Sequence, residues 1–206
     1  MRARGIQRIL GAVRGTELEV PTVLSLGTGL RMGEVLGLRW KDVDLDEGRA
    51  RVVQTIQQSP DGPIIVPPKT HRSRRIVLLP TFVVHSLKRH KANQAERRLA
   101  IGAAWVDNDL IVERGDDQPM LTRVLSRRFS TAARKAGLEL TFHGLRHGHA
   151  TLMLAAGVNL KVVSERLGHS TIGITADLYT HVAEEVHRQA ANSLDTWWRS
   201  ALSQED

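Results

Sequence analysis

The chain has 206 residues, enough for one well-packed domain or two small ones, and its 41% hydrophobic and 25% charged residues are ordinary for a globular protein. Its 29 lysines and arginines against 22 aspartates and glutamates give a net charge of +7, which favours a polyanionic partner such as nucleic acid, although solvated surface charges explain it about equally well. The lack of cysteine excludes a disulfide framework and a thiolate metal site, and no apolar run approaches the roughly 20 residues of a membrane span.

The first forty residues carry the pattern of short helices. Apolar residues fall on one side of residues 4–13, and a largely buried helix is predicted over about 16–27. Residues 28–34, T-G-L-R-M-G-E, form a glycine-flanked turn that opens a further helix through Leu38. Arg31 in this turn is either a surface arginine paired with a nearby carboxylate or a guanidinium held beside an apolar wall, and the local pattern leaves both open.

Strand-forming residues dominate from about residue 49 to residue 79. Three strands are predicted, over 49–57, 64–66 and 74–79, with a strong turn signal at 59–62, and they form an antiparallel meander. Lys69 then lies in the second hairpin connection, on an exposed loop. A lysine in such a loop is by default a solvated charge, so its position alone indicates no function.

A long polar helix is predicted over about 81–100. Its apolar residues mark the face that packs on the rest of the protein: Phe82, Val83, Leu87 and Leu99. Only a short strand, at 110–112, is predicted in the poorly patterned stretch that follows.

A basic helix over about 122–136 ends at Gly137, a usual C-terminal stop. Its cations form a candidate phosphate-contacting face: Arg123, Arg127, Arg128, Arg134 and Lys135. Solvation of this face explains any one of these residues about equally well.

The last third of the chain concentrates imidazoles and cations ahead of a single tyrosine. Helices are predicted over 143–156, 160–167, a short run that leads to residue 179, and about 183–202. His143 and Arg146 are three residues apart and therefore share one helix face. His169 follows in a turn-like L-G-H-S, and Tyr179, the only tyrosine, comes ten residues later.

This set of residues suits the handling of a phosphodiester. Charge on its two non-bridging oxygens must be stabilised during an in-line attack, and the planar guanidinium binds two oxygens at once without losing its proton. Arg31 and Arg146 are the arginines best placed by local context. A histidine near each, His143 and His169, can donate a hydrogen bond or accept a proton near neutral pH.

Tyr179 can act as a nucleophile only if nearby cations favour the phenolate or a base takes its proton, because its ordinary pKa is about 10. The alkoxide that leaves needs a proton, and Lys69 on a hairpin connection can supply one. Each of these features alone is a weak indication, since a lone tyrosine is more often a core or interface residue.

Two rival site types are disfavoured by the same residues. His143 and His147 have the i, i+4 spacing of an H-E-x-x-H zinc site, but Gly144 stands where that motif requires glutamate, and no carboxylate lies near enough in sequence to complete it. A phosphate-binding loop of the form G-x-x-x-x-G-K-[ST] is also absent from the sequence, so nucleotide-driven chemistry is not indicated.

Four blocks of the sequence, taken together, are far more specific than any single residue. They are T-G-L-R-M-G-E-V-L-G-L-R-W (28–40), P-K-T-H-R-S-R-R-I-V-L-L-P (68–80), H-G-L-R-H-G-H-A-T (143–151) and L-G-H-S-T-I-G-I-T-A-D-L-Y-T-H-V (167–182). In the order and spacing of these blocks the chain resembles the tyrosine recombinase (phage integrase) family over nearly its whole length. The fold expected is α+β, a mostly helical catalytic domain with a small three-stranded antiparallel sheet at one edge.

The resemblance implies a set of catalytic residues: Arg31, Lys69, His143, Arg146, His169 and Tyr179. Arg31 and Arg146 match the pair of arginines that clamps the scissile phosphate. Glu34 matches a supporting residue beside Arg31, not a catalytic one.

The remaining roles follow from the same resemblance. Tyr179 matches the nucleophile that forms a 3′-phosphotyrosine, which a 5′-hydroxyl of a partner strand later attacks. Lys69 matches the lysine that protonates the leaving 5′-oxygen, His143 the histidine that assists proton transfer, and His169 the histidine that bonds a phosphate oxygen. Because the phosphotyrosine keeps the energy of the broken bond, the family needs no metal, ATP or other cofactor.

The expected partner is double-stranded DNA. Residues expected to contact it outside the catalytic set are Arg72, Arg74, Arg123, Arg127 and Arg128. Four protomers normally assemble on two DNA sites, and the C-terminal helix and tail, residues 183–206, are expected to pack into a neighbouring subunit, although the isolated chain could be monomeric. The expected location is the cytoplasm of a bacterium, with a bacterial or phage origin.

Two departures from the family pattern stand out. The family usually has aspartate after the first motif histidine, where this chain has Gly144, and we expect only a local change near the site. Family members also usually carry an N-terminal helical domain on the other side of the DNA, whereas residues 1–206 here match the catalytic domain almost from Met1. We therefore expect weak DNA binding and poor site choice from this chain alone.

Three alternative functions remain open at this point. The same residues could relax DNA as a type IB topoisomerase does, with the cleaved strand rejoining itself. The chain could be a DNA-binding module without catalysis, in which case Tyr179→Phe leaves binding intact and the wild type forms no covalent adduct. A metal-dependent nuclease would lose its activity in EDTA.

Overall fold

The computed structural model describes residues 3–68, 74–169 and 183–202. Its α-helices are α1 (Ala3–Val13), α2 (Glu19–Thr28), α3 (Met32–Leu36), α4 (Thr81–Ile101), α5 (Thr122–Lys135), α6 (Phe142–Ala155), α7 (Leu160–Leu167) and α8 (Ala183–Leu202). Its strands are β1 (Val43–Asp44), β2 (Arg49–Val52), β3 (Thr55–Ser59), β4 (Gly62–Val66) and β5 (Arg75–Leu78), and 3₁₀ turns span Trp40–Asp42 and Gly102–Ala104.

Helix α2 lies at the centre of the domain. It is buried from Val20 to Thr28 and contacts α1, α3, α4 and α6. Gly29 ends the helix with a positive φ of 69°, a conformation that favours glycine. A Cβ there would lie 2.5 Å from the side chain of Leu167 and 2.7 Å from His149, so the glycine also lets α2 approach α6 and α7 closely.

The sheet is small and antiparallel, as predicted, but its connections differ from the predicted meander. Strands β1, β2 and β5 form the three-stranded sheet in that order, and β3 pairs only with β4. Arg49–Val52 pairs with Arg75–Leu78 in antiparallel register, from Arg49 opposite Leu78 to Val52 opposite Arg75. The α+β class with a three-stranded sheet is therefore confirmed, and the single strand predicted over 49–57 is wrong.

The break between β2 and β3 results from packing against α3. After Val52 the chain turns towards this helix, and Gln54 Nε2 donates to the Gly37 carbonyl at 2.9 Å. Gly33 permits the close approach of β3, because a Cβ on it would lie 2.5 Å from the Ile56 carbonyl oxygen. Residues 69–73, which include the predicted Lys69 connection, lie outside the described residues.

Two other predictions about apolar positions need correction. Leu99 is 84% exposed and Phe82 is also exposed, while Val83 and Leu87 are buried as predicted. The inner face of α4 continues instead through Gln94, which is buried and whose amide accepts a hydrogen bond from Trp40 and donates one to a backbone carbonyl.

The predicted strand at 110–112 is a buried segment with one bridge, between Leu110 and Arg39. The Asp117 carboxylate accepts hydrogen bonds from the amides of Asp109, at 2.8 Å, and Leu110, at 3.0 Å, and thus replaces a partner strand. Helix α8 has the predicted bounds, with the side chains of Leu194 and Trp197 exposed. Within the described residues no helix is long and apolar enough to cross a membrane.

Candidate active site

The two predicted phosphate-handling residues of α6, His143 and Arg146, lie near each other but differ in burial. Thr141 caps the helix, its hydroxyl oxygen accepting a hydrogen bond from the Gly144 amide at 3.1 Å. Beyond this cap His143 is exposed to solvent, whereas Arg146, one turn later, is buried. Gly144 fits this turn closely, since a Cβ there would lie 2.9 Å from the Leu140 side chain.

Arg146 is a buried guanidinium held by backbone carbonyls, with only 4% of the residue exposed. Its Nη1 donates to the Gly29 oxygen at 2.6 Å and its Nη2 to the Leu167 oxygen at 2.8 Å. Burial, followed by the charge of Arg31, lowers the pKa of Arg146 to about 9, which still leaves it protonated at neutral pH. Arg146 is therefore a positive charge at neutral pH, fixed where α2, α6 and α7 meet.

Arg31 reaches the same junction from the start of α3. It is the N-cap residue, and the Glu34 carboxylate accepts a hydrogen bond from the Arg31 amide at 2.9 Å. Its guanidinium donates to Glu34 at 3.1 Å, to the Gly168 oxygen at 2.9 Å and, weakly, to the Leu167 oxygen at 3.5 Å. Both alternatives left open by the sequence are observed. Arg31 forms an ion pair with the Glu34 carboxylate, and its guanidinium is also fixed by the Gly168 carbonyl.

The carbonyl of Leu167 is the point where Arg31 and Arg146 meet, although the two arginines are 115 positions apart in the chain. This carbonyl belongs to the last turn of α7, where unpaired carbonyls carry partial negative charge. The chain then turns at Gly168, in the left-handed region at φ 65°, and presents His169. The structure therefore brings Arg31, Arg146 and His169 into one neighbourhood.

Glu34 joins this neighbourhood through an arginine that the sequence analysis did not identify. Its carboxylate is 4% exposed and receives two hydrogen bonds from Arg75, at 3.0 and 2.9 Å. Burial alone would raise the pKa of Glu34, but the hydrogen bonds and charges of Arg75 and Arg31 outweigh it and lower the pKa. Glu34 is therefore ionised.

In the structure, Arg75 lies on the inner face of β5. Ile76 and Leu78 are exposed whereas Val77 is buried, so alternation along β5 places Arg75 on the inner face. The prediction named Arg74 instead, and that residue is exposed. Because residues 76–79 are all apolar, the sequence alone does not show this alternation and contains no signal for Arg75.

The sequence analysis also did not identify His149 and Arg166. Their hydrogen bonds to the Leu26 and Gly27 carbonyls join α6 and α7 to α2. The Leu26 carbonyl can only accept a hydrogen bond, so His149 Nδ1, 2.8 Å away, carries a proton. Arg166 Nε can only donate, so His149 Nε2, 3.2 Å away, is unprotonated. Burial is the main cause that lowers the pKa of His149 to about 4, which agrees with this neutral tautomer.

The two predicted catalytic histidines are neutral at pH 7. Burial, and then the charges of Arg146 and Arg31, lower the pKa of His169 to about 4. The pKa of His143 is also lowered, by burial first and then by His147, whose ring centroid lies 4.6 Å away. A neutral imidazole can donate one hydrogen bond and accept one proton, which suits both predicted roles.

The arrangement can bind an oxyanion. A guanidinium has five N–H donors, and within residues 3–68, 74–169 and 183–202 the hydrogen bonds of Arg146 use two and those of Arg31 use three. The remaining donors are available to a phosphate at the same place. His143 and His169 lie beside them, whereas Lys69 and Tyr179 lie outside the described residues.

The predicted DNA-contacting arginines occupy different surroundings. Arg123 and Arg127 on α5 are exposed, and among the described residues their side chains make no ion pair. Arg128 is exposed and forms an ion pair with Glu17. Arg72 lies outside the described residues.

In the part of the chain that the structure describes, no group of three histidine, aspartate or glutamate side chains is arranged to hold a metal ion. The pair His143 and His147 therefore has no third ligand among these residues. What the described site offers is a set of fixed cations and neutral imidazoles, not a coordination sphere.

The sequence of the chain matches a known protein family. Residues 1–186 match the sequence model of the phage integrase family. A XerC-like tyrosine recombinase of Caldanaerobacter subterraneus subsp. tengcongensis is 35% identical, over 93% of this chain and 51% of the relative. The ICEBs1 integrase of Bacillus subtilis is 29% identical, over 82% of this chain and 46% of the relative. The chain thus spans about half the length of these relatives.

Solved structures share the fold. The crystal structure of XerA recombinase superposes with a TM-score of 0.71 and 24% identity, over 94% of this chain and 64% of that one. The Tn1549 transposon integrase in complex with transposon right end DNA gives a TM-score of 0.75 and 22% identity, over 95% of this chain and 65% of that one.

Proposed function

Because the chain belongs to the phage integrase family, we propose that it is the catalytic domain of a site-specific DNA recombinase, which cleaves and rejoins DNA strands through a 3′-phosphotyrosine. The observation that carries the proposal is the convergence of the Arg31 and Arg146 guanidiniums on the Leu167 carbonyl, next to His169. Two fixed guanidiniums at one place can each bind one of the two non-bridging oxygens that carry the charge of a phosphodiester.

In this proposal Arg31 and Arg146 clamp the scissile phosphate through the N–H donors that their carbonyl bonds leave unused. Both guanidiniums are already oriented, so little reorganisation accompanies the build-up of charge in the transition state. His169 donates its N–H to a phosphate oxygen as a neutral imidazole. Glu34 supports Arg31 and touches no reacting atom.

The chemical step balances without an external energy source. The Tyr179 oxygen attacks phosphorus while the bond from phosphorus to the 5′-oxygen breaks, and the strand is left as a 3′-phosphotyrosine. His143, neutral at pH 7, takes the phenolic proton, and Lys69 gives a proton to the leaving 5′-oxygen. Attack by the 5′-hydroxyl of a partner strand reverses each transfer, so no metal, ATP or other cofactor enters the proposed reaction.

The proposed partner is double-stranded DNA, held by a tetramer of protomers on two sites. The integrase and recombinase relatives are about twice as long as this chain, so site selection is proposed to need segments outside the part that matches. The C-terminal segment, residues 183–206, is proposed to pack against a neighbouring protomer. The proposed location is the cytoplasm of a bacterial cell.

Strand relaxation of the type IB topoisomerase kind uses the same chemistry and differs only in which 5′-hydroxyl attacks. The named relatives are recombinases and integrases, which favours strand exchange. A plasmid without a recombination site separates the two functions, because a topoisomerase relaxes it in EDTA and a site-specific recombinase does not.

The test is covalent trapping on DNA whose sequence need not be known beforehand. The substrate is a library of nicked duplexes whose sequence is randomised on both sides of the nick. Cleavage near the nick releases a short strand that carries the 5′-hydroxyl, so the phosphotyrosine cannot be resealed. We expect an SDS-resistant protein–DNA adduct in EDTA, absent from Tyr179→Phe, and a modest enrichment of the sequences next to the nick that this chain itself contacts. An adduct that persists in Tyr179→Phe, or none from the wild type despite DNA binding, would contradict the proposal.

A further inference from the structure

The guanidinium of Arg75 is the only arginine group in the described residues that binds both oxygens of the Glu34 carboxylate. Its Nη1 and Nη2 donate at 3.0 and 2.9 Å, a parallel two-point contact that fixes the plane of the carboxylate. The Arg75 side chain is 8% exposed and that of Glu34 is 4% exposed, so the pair is shielded from solvent. A shielded two-point pair leaves the carboxylate a single orientation.

That orientation is the one that Arg31 needs. Glu34 uses its remaining lone pairs on the Arg31 amide, at 2.9 Å, and on the Arg31 guanidinium, at 3.1 Å. Arg31 itself keeps 40% of its side chain exposed, so it lies at the solvent edge of this set of contacts. The order of contacts is therefore Arg75 to Glu34 to Arg31, from the interior to the surface.

Arg75 also reaches the other side of the site. Its Nε donates to the Arg166 carbonyl at 2.8 Å, in the last turn of α7. A Cβ on Gly168 would lie 2.9 Å from Arg75 Nη1, so the guanidinium lies directly against the turn that precedes His169. One side chain thus spans from Glu34 to the turn between Leu167 and His169.

We propose that Arg75 is a positioning residue for the recombination reaction, which aligns Arg31 through Glu34 and holds the end of α7 that presents His169. The proposal rests on the proposed function for its catalytic readout. Arg75 itself touches no reacting atom. As the first residue of β5, six positions after Lys69, it also anchors the strand that follows the proposed general acid.

A purely structural ion pair is the competing explanation, and the chain contains another arginine bound to a buried glutamate. Arg97, whose side chain is 41% exposed, binds Glu113 at 2.6 Å, and that carboxylate is 2% exposed. This pair joins α4 to the buried 110–113 segment and contacts none of Arg31, Arg146 or His169. Arg97→Met is therefore a control that removes an arginine from a buried glutamate without touching the site.

The experiment measures single-turnover cleavage of the DNA sequence recovered by trapping, with rate and amplitude recorded separately. A loss of folded protein lowers the amplitude, whereas a misaligned Arg31 lowers the rate. For Arg75→Met we expect a rate about 10- to 100-fold lower at an amplitude near that of the wild type. Arg97→Met should leave the rate within about 2-fold. An unchanged rate in Arg75→Met would overturn the proposal.

Glu34→Gln tests whether Arg75 acts through the carboxylate. We expect Arg75→Met to lower the rate by no more than about 3-fold in the Glu34→Gln background, because the residue that transmits its effect is already altered. Arg75→Lys, which keeps the charge but offers no planar fork, should recover part of the rate. Losses that multiply in the double variant would show that Arg75 does not act through Glu34.

A pH profile separates the positioning role from a loss of packing. The charged groups that face Glu34 are Arg31, Arg75 and Arg146. Removing Arg75 leaves burial opposed mainly by Arg31, so the pKa of Glu34 should rise above its value in the wild type. The cleavage rate of Arg75→Met should then fall as the pH drops through that raised pKa, because a protonated Glu34 no longer holds Arg31. Glu34→Gln should lack this step.

The second arm does not depend on cleavage. ¹³C NMR of protein labelled at the glutamate carboxyl carbon, assigned with Glu34→Gln, reports the pKa of Glu34 directly. We expect it to rise in Arg75→Met and to stay unchanged in Arg97→Met. If the wild type traps no DNA but the Glu34 pKa rises in Arg75→Met, the recombinase function is rejected and the contact is retained. A Glu34 pKa that does not change in Arg75→Met would reject the inference itself.

Discussion

Arginines are used in two opposite ways in this molecule. In the arginine cluster, which we define as Arg31, Arg75 and Arg146, each guanidinium is bound by carbonyl oxygens or by Glu34. On the α5 basic face, defined as Arg123, Arg127 and Arg128, the side chains are exposed, and only Arg128 has an ion-pair partner among the described residues. The same residue type is fixed in one region and solvated in the other.

The difference decides what each region can contribute. A fixed guanidinium has already lost rotamer freedom and is oriented before the reaction, so its interaction with a phosphate can strengthen in the transition state. A solvated arginine gains affinity for DNA mainly by releasing counterions, which depends on salt and not on the reaction coordinate. We therefore expect changes in the arginine cluster to alter rates and changes on the α5 basic face to alter affinity.

The largest effect is expected from Arg146→Lys. Lysine keeps the charge but cannot bind Gly29, Leu167 and a phosphate with one planar group, so cleavage should slow about 10²- to 10³-fold, the loss typical of one oxyanion donor. DNA affinity should change little. Arg127→Lys is the matched control, and an equal slowing in both variants would remove the distinction between the two regions.

The next effect is on stability and involves the histidine that locks α6 to α2. The pKa of His149 is about 4 in the folded protein and about 6.5 when unfolded, so the folded state binds fewer protons between these values. Stability that is complete above about pH 6.5 is therefore lost as the pH falls towards 4, by up to roughly 3 kcal/mol. Urea unfolding across this range measures the loss.

His149→Gln supplies the control for this titration. It should be less stable at pH 7 but should show a smaller decline towards pH 4, with the remaining decline due to groups such as His169, whose pKa is also lowered. An identical decline in the wild type and the variant would mean that His149 is not the group that titrates.

A smaller effect is expected where the backbone of α2 meets the arginine cluster. Gly29→Ala combines a positive φ with a Cβ placed 2.5 Å from Leu167, and should destabilise the protein by about 1–3 kcal/mol. Gly15→Ala has a similar φ of 72° but nothing within 4 Å of the added Cβ, so it isolates the backbone contribution of about 1 kcal/mol. Equal losses of thermal stability in the two variants would rule out a packing role for Gly29.

The smallest effect is predicted for the α5 basic face. Arg123→Gln and Arg127→Gln should each reduce the slope of log affinity against log salt by about 1, with no change in cleavage rate at saturating DNA. Arg128→Gln should reduce it less, because Glu17 already neutralises that side chain. Binding isotherms at several salt concentrations provide the slopes.

Local features of the arginine cluster were predictable from the sequence. The one-turn spacing of His143 and Arg146, and the place of Arg31 at the start of α3 with Glu34 three residues later, follow from helix periodicity and capping. The bounds predicted for α1, α5, α7 and α8 also lie within one or two residues of those observed. These features depend on contacts between neighbours in the sequence.

The missed features depend on contacts between distant segments. Arg75 meets Glu34 across 41 positions, and Arg166 bonds the Leu78 carbonyl across 88. The break after Val52 was missed for the same reason. A uniform run of strand-forming residues does not reveal that β3 packs against Gly33 of α3 instead of continuing in the sheet with β2. Periodicity indicates which side of an element is buried, but not which distant group it meets.

The most direct test of the account is a crystal structure of the Tyr179→Phe protein bound to the trapped DNA sequence. We expect the scissile phosphate between Arg31 and Arg146, with its non-bridging oxygens about 2.7–3.1 Å from their N–H nitrogens and His169 beside them. We also expect Arg75 to keep both hydrogen bonds to Glu34. A phosphate bound elsewhere, with both guanidiniums still occupied only by Gly29, Leu167 and Gly168, would contradict it.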